Sequence, residues 1–147
     1  MTDKLVSIVI PAFNEQDNIE PLVEAVDRSI PDGTHYEYVF VDDGSTDETV
    51  KKIKSIGSDR DNIRLLVLTR NFGHQAAVIA GIEVASGDAV ITLDADLQHP
   101  PRHIPEMIEK WANGALVVQM VRQSTEGIKL SKRLLSGAFY KIINRLS

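Results

Sequence analysis

Short apolar runs alternate with helix-period patterns along this chain, and that alternation limits it to very few folds. Val6-Ser7-Ile8-Val9-Ile10 reads as a strand, stopped by Pro11. Ile19, Leu22, Val23 and Val26 recur at i, i+3, i+4 and i+7, one face of a helix. After the turn signal Pro31-Asp32-Gly33, Tyr38-Val39-Phe40-Val41 predicts a second strand. Ser45-Thr46-Asp47-Glu48 has capping-box spacing, so a helix is expected to start there and to turn Val50 and Ile53 inward. A third strand is expected from Ile63 to Leu68, and a helix rich in small residues from Gly73 to Ala85. Ala89 to Leu93 predicts a fourth strand, and Pro100-Pro101 precedes a helix over about Arg102 to Asn113. A fifth strand is expected from Leu116 to Val121, followed by a long amphipathic helix.

Strands this uniformly apolar, separated by helices, predict a Rossmann-like α/β fold whose mostly parallel sheet is covered by helices on both faces. Right-handed crossovers put every strand's carboxyl end on one edge, where open α/β sheets bind ligands. Four such ends carry polar sequence: Pro11-Ala12-Phe13-Asn14-Glu15, Asp42-Asp43-Gly44-Ser45, Arg70-Asn71-Phe72-Gly73-His74 and Asp94-Ala95-Asp96-Leu97-Gln98. One polar loop is unremarkable, but four on one edge make a candidate site. With no internal repeat or linker, residues 1–147 are expected to form a single domain.

Composition enters mainly by exclusion. Hydrophobic residues at 43% and charged residues at 25% are those of a folded globular chain, not a disordered one. Without cysteine there is no disulfide, thiolate metal site or cysteine nucleophile. No apolar run approaches the roughly 18 residues of a membrane span, and the start lacks a signal-peptide layout, so a cytosolic domain is expected. The net charge of −5 hides an asymmetry, because the stretch after Val121 carries six basic residues against one acidic. An acidic body argues against general nucleic-acid binding, whereas a basic tail suits phosphates or an anionic membrane surface; a solvated helix face is the plain alternative.

The carboxylate pairs carry the chemistry. Asp94 and Asp96 at a strand end suit a hard cation such as Mg²⁺ or Mn²⁺, to which Gln98 can add a carbonyl oxygen. Such an ion can neutralise a leaving diphosphate. The structural alternative is that one Asp caps the next helix and the other is a solvated loop residue. Asp42 and Asp43 can accept hydrogen bonds from a ribose or base edge, with helix capping again the alternative. Asn14-Glu15 divides the same way between capping and base recognition. His74, His99 and His103 are too scattered for a metal cluster and read as surface or loop histidines. No GxxxxGK[ST], GxGxxG after the first strand, GxSxG or HExxH occurs, which leaves carboxylates and a metal to hold a nucleotide.

Val9-Ile10-Pro11-Ala12-Phe13-Asn14-Glu15, Val41-Asp42-Asp43-Gly44-Ser45-Thr46-Asp47 and Leu93-Asp94-Ala95-Asp96-Leu97-Gln98-His99-Pro100-Pro101 together resemble the inverting family 2 glycosyltransferases of GT-A fold. Arg70-Asn71-Phe72-Gly73 and the tail from Lys132 to Tyr140 narrow the resemblance to the polyprenyl-phosphate branch, which includes dolichol-phosphate mannose synthases and bactoprenol glucosyltransferases. The resemblance implies that Pro11, Ala12, Phe13 and Glu15 border the base, and that Asp43 contacts the base or ribose with Asp42 beside it. It implies that Asp94 and Ala95 lie beside the ribose and diphosphate, and that Asp96 and Gln98 ligate Mg²⁺ or Mn²⁺. Arg122 would meet the acceptor phosphate, with Lys129, Lys132 and Arg133 as further candidates. The implied activity is transfer of a sugar from a UDP- or GDP-sugar to a polyprenyl phosphate, with inversion, at the cytoplasmic face of a membrane. Leu134, Leu135, Ala138, Phe139, Ile142 and Leu146 can share one apolar face of the tail, suited to a membrane interface or to packing on the sheet. Relatives in this family run further and are often membrane-anchored, so the chain is expected to lack a C-terminal part. Two other readings stay open: a transferase acting on a sugar hydroxyl, and an inactive nucleotide-binding remnant.

Overall fold

The computed structural model describes residues 4–98 and 100–120. Its centre is a four-stranded sheet, formed by β1 (Leu5–Ala12), β2 (His35–Asp42), β3 (Ile63–Val67) and β4 (Ala89–Thr92), in the spatial order β3-β2-β1-β4. Every pairing is parallel, so all four carboxyl ends lie on one edge, as the sequence predicts. The helices are α1 (Ile19–Ser29), α2 (Thr49–Gly57), α3 (His74–Val84) and α4 (Ile104–Ala112), the last entered through a 3₁₀ turn at Pro101–His103.

Period-2 alternation divides the strands between two cores. Val6, Ile8, Ile10, Tyr38 and Phe40 face α1, α2 and α4, and meet Ile19, Leu22, Val23, Val26, Ile53 and Ile104. Val9, Val39 and Val41 face the opposite way and pack against Ala77 of α3. Each fully buried Val, Leu or Ile is worth about 1.5–3 kcal/mol, so the larger cluster dominates the stability of the sheet. The expectation of helices on both faces therefore holds.

Three local expectations fail, each for a physical reason. Pro11 does not stop β1, which continues to Ala12. In β1 the carbonyls of Leu5 and Val9 accept from Asp88 and Leu93 while Ala12 accepts from Asp43, so odd-numbered backbone groups face β4. Pairing with β4 ends at Val9↔Thr92, so the missing N–H of Pro11 falls where no ladder bond is required. The second helix begins at Thr49 rather than Ser45, and it buries Thr49 and Ile53 while Val50 is half-buried. The capping box is not made, because Ser45 Oγ accepts from the loop after β1 and the Glu48 carboxylate pairs with Lys51 of α2. Finally, residues 116–120 form no strand: Leu116 and Val117 are 99% and 85% exposed, and among the described residues no strand pairs with the outer edge of β4. An apolar run becomes a strand only when it has a neighbour to pair and pack with. Val121, the expected tail helix and His99 lie outside the described residues.

Candidate functional site

At the exit of β1 the chain turns sharply, with Asn14 in the left-handed region at φ 55°. Asn is among the few residues that visit this region readily. Its backbone N–H donates to Ser45 Oγ (2.9 Å), and its Oδ1 accepts from the Thr46 N–H (2.8 Å). Glu15 N–H donates to Thr49 Oγ1 (2.8 Å), Gln16 N–H to Asp47 Oδ2 (3.3 Å), and Glu48 N–H to Gln16 Oε1 (2.9 Å). Ser45 and Asp47 thus clasp the loop after β1 to the loop after β2, while Asp47 Oδ1 also accepts from the Thr49 N–H (3.0 Å) at the start of α2. Burial pushes the Asp47 carboxyl up, but the Thr49 hydroxyl and the backbone N–H groups of Thr49 and Gln16 hold it below its ordinary value. Within this clasp Pro11 and Ala12 are buried and form its base, Phe13 is exposed, and Glu15 is half-buried with Oε2 accepting from Asn18 (2.6 Å).

The two aspartates after β2 are almost wholly buried, Asp42 at 1% and Asp43 at 3% exposure. Asp42 Oδ2 accepts from the Ser45 N–H (3.1 Å), while Oδ1 is buried without a hydrogen-bond partner. An unsatisfied buried carboxylate oxygen is costly, and it is the kind of acceptor that a ligand donor can satisfy. Asp43 uses each oxygen on the loop after β3, accepting from the N–H of Phe72 (2.7 Å) and of Gly73 (2.9 Å). Its carboxylate is turned into the protein, which makes it a strut between loops. Gly44, at φ 75°, lies against that same loop, where an added Cβ would come 2.6 Å from the Arg70 carbonyl carbon. Arg70 in turn stacks its guanidinium 4.3 Å from the centre of the Phe72 ring.

The turn after β4 separates its residues by side. Ala95 is buried with the larger core, so its own side chain faces no ligand, while Asp94 is half-buried and Asp96 and Gln98 are exposed. Leu97 adopts φ 59°, an uncommon conformation for a bulky residue and typical of strained functional turns. This turn brings the Gln98 N–H within 3.0 Å of Asp96 Oδ1 and so orients that carboxylate. Across the edge, His74 Nε2 lies 3.5 Å from Asp94 Oδ1. Sequence reasoning missed this meeting, since twenty residues separate the two and no spacing rule links them.

Among the described residues no group of three or more His, Asp or Glu side chains converges to hold a metal ion. A small divalent cation needs only one or two protein carboxylates when phosphate oxygens and water complete its shell. Asp96 is exposed on this turn, with its Oδ1 accepting from the Gln98 N–H (3.0 Å), while Asp94 is half-buried beside His74. Arg122, Lys129, Lys132 and Arg133 lie outside the described residues.

Comparison with known proteins gives the family and the fold. The family model described as "Glycosyl transferase family 2" matches residues 7–146. An uncharacterized glycosyltransferase of Synechocystis sp. (strain ATCC 27184 / PCC 6803 / Kazusa) is 41% identical, over 96% of this chain and 45% of its own length. An undecaprenyl-phosphate 4-deoxy-4-formamido-L-arabinose transferase of Pectobacterium carotovorum subsp. carotovorum (strain PC1) is 40% identical, over 97% of this chain and 44% of its own. The chain thus spans less than half the length of these curated relatives. Among solved structures, a mannosyltransferase from Pyrobaculum calidifontis in complex with GDP-Man and Mn²⁺ superimposes with a TM-score of 0.67 at 26% identity, covering 80% of this chain and 35% of the other. The fold is of the GT-A type.

Proposed function

The chain belongs to glycosyl transferase family 2, and from that premise we propose that it moves a sugar from a UDP- or GDP-sugar to a polyprenyl phosphate, with inversion at the anomeric carbon. The observation that carries the reading is the meeting, on one sheet edge, of the Asp94-Ala95-Asp96 turn with the clasped loops after β1 and β2. Similarity to a transferase whose name specifies undecaprenyl phosphate supports the acceptor class.

In this reading Pro11, Ala12, Phe13 and Glu15 border the base, and the unsatisfied Oδ1 of Asp42 accepts from the nucleoside. Asp43 acts on the nucleoside side through the loop it holds. Asp94 and Ala95 lie beside the ribose and diphosphate, Ala95 through its backbone. Asp96 and Gln98 hold Mg²⁺ or Mn²⁺, which when bound neutralises charge on the leaving diphosphate. A lipid phosphate is already anionic and needs little help from a general base, so orientation and charge complementarity dominate the rate. Arg122 meets that phosphate, and the basic stretch around it seats the protein at the cytoplasmic face of a membrane. Among the described residues no helix is long and apolar enough to cross one.

The test is thermal melting with UDP and GDP, each with Mn²⁺, with Mg²⁺ and with chelator. A nucleotide at about a hundred times its Kd stabilises by roughly 2.7 kcal/mol, a rise of several degrees. That rise is expected only with metal, and Asp96→Ala should abolish it while leaving the ligand-free melting temperature unchanged. Melting that responds to no nucleotide overturns the reading.

A further inference from the structure

We propose that Asp43 and His74 are positioning residues for the Asp94-Ala95-Asp96 turn, acting as a strut that runs from the exit of β2 through the start of α3 to the Asp94 carboxylate. The proposal rests on the nucleotide-sugar reading above and assigns that site a support outside the residues that touch the ligand.

Three contacts in series make the strut. The buried Asp43 carboxylate takes the consecutive N–H groups of Phe72 (2.7 Å) and Gly73 (2.9 Å), one on each oxygen. Its neighbour Gly44 presses on the backbone of Arg70 and Asn71, at a distance that admits no side chain there. Residues 70–73 are therefore gripped from two successive positions of one strand exit. His74 follows as the first residue of α3, whose further course is seated by Ala77, buried in the smaller core, and by Gly81 against Val9 and Val41. Held on both sides, the His74 backbone has little freedom, and its imidazole Nε2 reaches 3.5 Å from Asp94 Oδ1. Ala95, 4% exposed, anchors the turn from below. Two carboxylates that must meet one cation and one diphosphate gain affinity when their directions are set beforehand, and the groups that set them contribute through orientation alone.

The test uses the full chain and calorimetric binding of whichever of UDP or GDP it takes up with Mn²⁺. His74→Ala should weaken Mn²⁺-dependent nucleotide binding about tenfold, the usual scale for a lost outer-shell partner, with an unchanged ligand-free melting temperature. His74→Gln, which returns a donor near the position of Nε2, should recover most of the loss; a merely structural role for His74 would show neither pattern. Asp43→Asn sets an amide against one of its two N–H donors, so amide exchange at Phe72 and Gly73 should quicken in the ligand-free protein. Adding His74→Ala to Asp43→Asn should weaken binding by less than the product of the separate effects. Binding by His74→Ala equal to that of the unaltered chain overturns the proposal, as do effects that multiply. Should Asp43→Asn fail to fold, the exposed His74 still decides the question. An unaltered chain that binds no nucleotide with either metal overturns the nucleotide-sugar reading and this proposal with it, whereas normal binding with an indifferent His74→Ala overturns this proposal alone.

Discussion

Gly44 shows how much a single position can owe to its surroundings. In sequence it is the glycine of a tight turn after a strand, and its φ of 75° bears that out. The greater constraint is visible only in three dimensions, because an added Cβ would meet the backbone of Arg70 and Asn71 at 2.6–2.7 Å. Backbone cannot rotate aside as a side chain can. Gly44→Ala is therefore expected to destabilise the chain by about 2–4 kcal/mol, combining left-handed strain with displacement of the loop after β3. Urea denaturation reads the loss, and nucleotide affinity should fall with it. Asp42 and Asp43 differ in the same way. As letters they are an equivalent pair; in the fold one keeps an unsatisfied oxygen and the other spends both on N–H groups some thirty residues away. Ser45 and Asp47 were legible as polar groups able to accept from N–H donors. That the N–H donors belong to the loop after β1 was not, since local spacing describes only the chain's own next turn.

At the scale of elements, α3 illustrates why small residues matter. Its apolar residues lie on all sides, so no amphipathic stripe announces which face is buried. Gly81 decides it: a Cβ there would overlap Val9 Cγ1 and lie 3.0 Å from Val41 Cγ2, so the helix backbone rests directly on the sheet. Gly81→Val should force α3 outward and cost about 1–3 kcal/mol by overpacking. Because His74 begins this helix, the Mn²⁺-dependent nucleotide affinity should drop as well, which calorimetry on the folded variant would read. β3 and β4 were legible to within a residue, and the centres of β1 and β2 and the buried face of α1 were legible too. The ends of β1 and β2 run two or three residues beyond their apolar runs. The start of α2 and the run from Leu116 were not legible. The first depends on side chains recruited by a neighbouring loop, and the second on a pairing partner that the local sequence cannot supply.

Across the whole molecule, two polar networks brace the sheet at its amino-terminal side, away from the site. In one, Ser7 Oγ donates to the buried Glu37 Oε1 (2.6 Å), which also accepts from Ser86 N–H (2.7 Å), while Arg64 approaches Glu37 Oε2 (3.3 Å). In the other, Asp27 of α1 accepts from the hydroxyls of Tyr36 (2.8 Å) and Tyr38 (2.7 Å) and from Arg60 (2.6 Å), joining α1 to β2 and to the approach to β3. Burial pushes the Asp27 carboxyl up, but the hydrogen bonds from Arg60, Tyr38 and Tyr36 outweigh it and hold the group below the ordinary value of 3.8. Burial and the same aspartate raise the Tyr38 hydroxyl far above its usual range. A carboxyl depressed in the folded chain takes up its proton more readily once unfolded. Its contribution is therefore fully present above the unfolded value and disappears as the pH falls through the lower folded one. Asp27→Asn should cost about 1–2 kcal/mol at neutral pH, with a gap to the parent that narrows below about pH 4. Urea denaturation across that range checks both the size and the sign.

By itself the sequence determined the alternation of strand and helix, the parallel sheet that follows from it, and the gathering of Glu15, Asp42, Asp43, Asp94, Asp96 and Gln98 on the loops of one edge. These follow from hydrophobic period and crossover geometry, which are written within a dozen residues at a time. Tertiary structure alone decided which carboxylate oxygen meets which N–H, why Gly44 and Gly81 admit no side chain, and that His74 stands beside Asp94. Those contacts join segments twenty or more residues apart, and their distances are set by how helices seat on the sheet, a property of packing that no local pattern encodes.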